Sequence, residues 1–121
     1  MTKIAYIIII LTALLLAHLL EEVKTGFRKK FILGRMPKTA FVLFNVAIYS
    51  YALITIILAF KNNPVAYQLA WIYGVAMILN AALHIGIMAV KRSYFPGGIT
   101  AFALLPAAVY LLLELALLPK L

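Results

Sequence analysis

Apolar residues fall into four long blocks along the chain, at about residues 4–22, 40–60, 66–90 and 99–118, with short polar segments between them. Crossing ~30 Å of hydrocarbon at a rise of ~1.5 Å per residue takes about 20 residues of helix, and each block is near or above that length. The blocks are apolar on every side and do not alternate. A membrane barrel of ~10-residue strands is therefore excluded, and helices that satisfy their own backbone groups are predicted. Breakers stand between the blocks: Gly26, Gly34 and Pro37, then Asn62-Asn63-Pro64, then Pro96-Gly97-Gly98. No internal repeat is visible. The pattern predicts an all-α fold, a four-transmembrane-helix bundle forming one domain over residues 1–121.

Composition sharpens this. Of 121 residues, 67% are hydrophobic and 12% charged, and the mean hydropathy is +1.11. Soluble domains run near ~45–50% and ~25%, so a water-soluble core and a disordered chain are both excluded. There is no cysteine, which removes disulfides, thiol redox chemistry and cysteine-held metals. The first block resembles a secretory signal in length, but no small-x-small cleavage site follows it, so a retained helix is expected.

Charge then orients the bundle. Eleven Lys and Arg against three Asp and Glu give +8. The cations sit between the apolar blocks, so no nucleic-acid partner is expected and topology explains them. Lys24, Arg28, Lys29, Lys30, Arg35 and Lys38 follow the first span, and Lys91 and Arg92 follow the third. Only Lys3, Lys61 and Lys120 lie on the other side. The positive-inside rule places both basic loops in the cytoplasm and both termini outside, in the cytoplasmic (inner) membrane. The loop Phe27-Arg28-Lys29-Lys30-Phe31-Ile32-Leu33 suits anionic membrane lipids as partners. Small-residue pairs in the third span, Ala70/Gly74 and Ala82/Gly86, permit a homo-oligomer.

Within the spans, every strongly polar side chain requires a reason, since a charge at mid-bilayer costs ~2.5–3.5 kcal/mol. His18, Glu21 and Glu22 stand at i, i+3 and i+4, on one side of the first helix. Asn80 and His84 share a face of the third. With the orientation above, both groups lie at similar depth near the cytoplasmic side, along with Asn45 and the Tyr94–Gly98 loop. Each alone has a plainer explanation. Either glutamate can end a helix and pair with Lys24 or Arg28, a histidine can bond across helices, and Asn80 can join two of them. Glu114 with Tyr110, one turn apart in the last span, reads as a local pair.

In order, these residues read H-x-x-E-E (His18 to Glu22), N-x-x-x-H (Asn80 to His84) and Y-x-P-G (Tyr94 to Gly97). Together they resemble the HXXEE family of bacterial membrane proteins over roughly residues 14–100. The resemblance implies that His18, Glu21, Glu22, Asn80, His84, Tyr94, Pro96 and Gly97 are signature positions; it implies no particular reaction.

Two imidazoles and a carboxylate are the ligand set of an open zinc site, and equally of a non-haem iron site. The metal ligands expected are His18, His84 and Glu21 or Glu22, holding a divalent Zn or Fe. The other glutamate would then serve as acid or base, with Asn80 and Tyr94 as further catalytic groups. Lys91, Arg92, Gly97 and Gly98, at the start of the last span, form a candidate site for a substrate headgroup. The function expected is a membrane-embedded, metal-dependent enzyme acting on a lipid or other hydrophobic molecule at the cytoplasmic leaflet. Two alternatives stand beside it: a metal-free Glu/His acid–base enzyme using the same residues, and a non-catalytic lipid-binding or transport protein.

Overall fold

The computed structural model describes residues 1–30 and 34–119. Phe31, Ile32 and Leu33 of the basic loop, and Lys120 of the charge comparison, lie outside the described residues. Four helices make the fold: α1 Thr2–Thr25, α2 Lys38–Phe60, α3 Val65–Lys91 and α4 Gly98–Leu117. All four are long and apolar enough to cross a membrane, and among the described residues there is no strand. The chain is a multi-pass membrane protein.

The helix ends follow their local chemistry. α1 runs one turn past the expected boundary and stops at Gly26, whose φ of 79° turns the chain left-handed while its N–H donates to the Glu22 carbonyl. That stop places a 3₁₀ turn, Phe27–Lys29, directly beneath the bundle and buries Phe27. α4 begins at Gly97, also left-handed, and runs unbroken through Pro106.

The helices form a closed ring in which α1 packs on α2 and α4, and α3 packs on α4 and more thinly on α2. In α1 the buried positions include Ile4, Ile8, Leu11, Leu15, His18 and Glu22. α3 buries Ala66, Ala70, Tyr73, Met77, Ala81 and His84, and α4 buries Gly98, Ala101, Leu104, Ala108, Leu111 and Leu115. Each stripe advances in steps of three and four, the spacing of seams between packed helices. His18, Glu22 and His84 thus belong to the inward stripes. α2 is different. It buries only Ala52, Thr55 and Ala59, all in its second half, so its first half stands off the bundle.

Of the small-residue pairs, Ala70 and Gly74 are consumed inside the chain. A side chain at Gly74 would place its Cβ 2.5 Å from Leu112 Cδ2 of α4. Gly86 faces outward with open space around it. At the end of the bundle away from His84, Glu114 pairs with Lys3 of α1 at 2.9 Å as well as with Tyr110, its expected local partner. Gly74→Leu is expected to force α3 and α4 apart and cost about 1–3 kcal/mol. Gly86→Leu stays within about 0.5 kcal/mol of the parent. Thermal unfolding of both variants in one detergent checks the contrast.

Candidate metal centre

α1 delivers three polar side chains to the cytoplasm-predicted end of the bundle, and they separate by one residue's rotation. His18 and Glu22 continue the inward stripe, while Glu21 turns toward α4. Its carboxylate accepts four hydrogen bonds there. Ile99 N–H (3.1 Å) and Tyr94 O–H donate to Oε2, and Thr100 N–H (2.8 Å) and the Thr100 hydroxyl (2.7 Å) donate to Oε1. Two of these donors are the free amides of α4's first turn, where the helix dipole also favours an anion. Glu21 is thus both a cap for α4 and a tether between α1 and α4. Partial burial and the bond to Glu21 hold the Tyr94 phenol above its ordinary pKa, so it stays protonated and donates.

The Thr100 hydroxyl has a single proton, and both oxygens it can donate to, Glu21 Oε1 (2.7 Å) and the Gly97 carbonyl (3.2 Å), are acceptors. Its oxygen must therefore accept from His18 Nδ1, 2.8 Å away. His84 Nδ1 lies 2.7 Å from the Pro96 carbonyl, which only accepts. Both imidazoles are thereby fixed with the proton on Nδ1 and the lone pair on Nε2. The rings meet edge to face at 4.5 Å. Phe27 and Phe95 flank His84 at 5.3 and 5.4 Å between ring centres. A Cβ on Gly97 would come within 2.7 Å of His18 Cε1 and 2.8 Å of His84 Cε1, so only glycine fits under the two rings.

Both Nε2 atoms face Glu22. Each lies 3.7 Å from one of its oxygens, His18 from Oε1 and His84 from Oε2. The exposures are 0% for His18, 1% for His84 and 8% for Glu22. His18 Nε2 is buried with no hydrogen-bond partner among the described residues. Two imidazole lone pairs and the Glu22 carboxyl group thus converge on one point, with no hydrogen bond between them. Acceptors buried without donors are costly unless a cation joins them. Two ligand atoms of one zinc ion, each ~2.1 Å from it, lie at most ~4.2 Å apart, and both 3.7 Å separations meet that limit. The three residues form the one group among the described residues with the donor set and spacing to hold a metal ion.

The residues expected from sequence are thus distributed as follows. His18, His84 and Glu22 converge. Glu21 is set apart from them by its four bonds to Tyr94 and α4, so the choice left open between the two glutamates falls on Glu22. Asn80 is one turn from His84 and lines, with Glu22, Asn45 and Phe44, a cavity of about 400 Å³ between α1, α2 and α3. Its amide makes no hydrogen bond to the cluster. The helix amides expected to receive a headgroup are taken by Glu21, and Gly97 and Gly98 are buried, Gly98 against Met88. Lys91 and Arg92 are exposed. Sequence reasoning missed Thr100, which carries the link from Glu21 to His18, and the aromatic walls Phe27 and Phe95. A threonine in the first turn of a helix that opens on Gly-Gly was the available signal for the first.

A family model described as a protein of unknown function with HXXEE motif matches residues 9–111, spanning every residue of the cluster. No curated protein and no solved structure matches the chain.

Removing the Glu21 charge leaves its donors unpaired. Glu21→Gln and Thr100→Ala are each expected to destabilise the protein by ~1–2 kcal/mol. Their effects are expected to fall short of additivity by about 1 kcal/mol, because they cut the same link. Unfolding free energies of the two single variants and the double variant measure this.

Proposed function

We propose that this chain, which belongs to the family of HXXEE-motif proteins of unknown function, is a membrane-embedded enzyme that holds one divalent metal ion on His18, His84 and Glu22 and acts on a lipid-like molecule. The observation that carries the reading is the convergence of two Nδ1-protonated imidazoles and one carboxyl group with no hydrogen bond between them. Two histidines and one glutamate leave coordination positions open, as catalytic zinc sites do. When bound, such an ion polarises a carbonyl or phosphoryl oxygen and lowers the pKa of its water.

The chain's own residues do the rest. Pro96 and Thr100 orient the imidazoles, as partners behind metal-bound histidines generally do. Glu22 supplies the negative charge. Glu21, saturated by four donors, serves as a positioning residue rather than as acid or base. Asn80 lines the cavity beside Glu22 and His84, where its amide can meet a substrate oxygen. The metal-free alternative would use Glu22 as the general acid or base with His84 and Asn80 beside it, and the metal content of the protein separates the two. By the positive-inside rule the site belongs to the cytoplasmic leaflet of the inner membrane, with both termini outside.

Gently extracted protein is expected to carry about one zinc or iron per chain. His18→Ala, His84→Ala and Glu22→Gln each lose it, whereas Glu21→Gln keeps it with affinity lowered about 10–100-fold. Elemental analysis with metal titration reads both. Equal loss in the two glutamate variants, or no stoichiometric metal in the parent, would overturn the proposal.

A further inference from the structure

Three spaces open along the stand-off first half of α2, and neighbouring ones share wall residues. The first, about 670 Å³, lies under α1 and is lined by Glu22, Thr25, Phe41 and the cations Lys24, Arg28, Lys29, Lys30 and Lys38. The second is the 400 Å³ cavity beside His84, which shares Glu22 and Phe41 with the first. The third, about 290 Å³, continues between α2 and α3 past Tyr51, Tyr73 and Met77, and shares Phe44 and Ile48 with the second. The path runs from a basic mouth, past the metal centre, into a slot open to hydrocarbon.

The cations at the mouth are uncompensated. The chain has only three acidic residues. Glu21 is held by Tyr94 and α4, Glu22 faces the two imidazoles, and Glu114 pairs with Lys3. Among the described residues, none of the five cations forms an ion pair. One face of this path therefore calls for an anion, and the remainder calls for an apolar chain.

We propose that the occupant of this path is an anionic lipid, its phosphate or carboxylate headgroup held by Lys24, Arg28, Lys29, Lys30 and Lys38 and one acyl chain laid between α2 and α3. The bond next to the headgroup then passes Glu22 and His84. The proposal deepens the enzyme reading above and rests on it for what happens to the lipid, but the binding it asserts stands on its own geometry. It also places the headgroup at the α1–α2 loop rather than at Lys91, Arg92, Gly97 and Gly98.

The test uses the full chain in nanodiscs of phosphatidylcholine with a small fraction of phosphatidic acid carrying a diazirine on its acyl chain. After irradiation, label is expected on α2 around Phe44–Ile48 and on α3 around Asn80 and Leu83. Excess unlabelled phosphatidic acid suppresses it, and phosphatidylcholine and inorganic phosphate do not. With each surface cation contributing roughly five-fold to the attraction, the Arg28→Gln/Lys29→Gln/Lys30→Gln variant is expected to lower the apparent affinity on the order of 100-fold. Ala47→Phe, at an exposed position lining the third space, is expected to remove label from Tyr51 and Tyr73 while leaving it near Asn80. Label spread evenly over outward residues such as Leu53 and Ile99, or unchanged by neutralising the cations, overturns the proposal. Competition by inorganic phosphate as strong as by the lipid also overturns it, because the chain would then contribute nothing. Metal content and labelling measured on the same parent protein separate the two readings. Intact labelling in a parent that binds no metal removes the metal enzyme alone, and diffuse labelling in a parent that binds metal removes the lipid path alone.

Discussion

One carboxylate organises the site. Glu21 stands at the foot of α1 and gathers four donors, three of them from Ile99 and Thr100 of α4 and one from the loop before it. A partly buried carboxylate without partners would be costly. Here the charge is matched by helix amides that lack partners of their own, so the two costs cancel. The consequence reaches beyond stability. Because Thr100 gives its proton away, His18 must present its lone pair to the interior. Because Glu21 draws the start of α4 onto α1, Gly97 lies under both imidazoles and the Pro96 carbonyl meets His84. A tether built from one glutamate thus sets the chemistry of its neighbour Glu22.

The two glutamates of the motif divide the work by one residue's rotation on a helix. Glu21 has every lone pair engaged by donors. Glu22, pointing to the bundle axis, has none, and it faces two imidazoles in the same condition. That shortage is what the proposed metal ion would relieve. The same reasoning gives each motif residue a task. Tyr94 supports Glu21, Pro96 orients His84, and Gly97 leaves room for the rings.

The fold was legible because its cause is gross: four blocks of apolar residues long enough to span hydrocarbon, separated by glycine, proline and asparagine. The meeting of His18 with His84 was legible too, since spacing and charge asymmetry place them at one depth. What sequence could not settle is which side of each helix faces inward. In a soluble helix the polar face marks the outside. Here α1 is apolar on every side above His18, so nothing in the pattern told Glu22 from Glu21. The hidden link through Thr100 and the burial of Phe27 depend on where α1 stops and how α4 begins, and those are fixed by the left-handed turns at Gly26 and Gly97. The start of α4 was read as a headgroup site, whereas its Ile99 and Thr100 amides are taken by Glu21, a side chain of the same protein. The loose packing of α2 leaves little trace in sequence, since its residues are as apolar as those of the buried helices.

X-ray absorption at the zinc edge of metal-loaded protein tests the account most directly, because it sees the ligands themselves. Two imidazole nitrogens and at least one carboxylate oxygen are expected around the ion, with the same ligands in Glu21→Gln. A spectrum without imidazole scattering, or one that loses its carboxylate oxygen in Glu21→Gln, would contradict it.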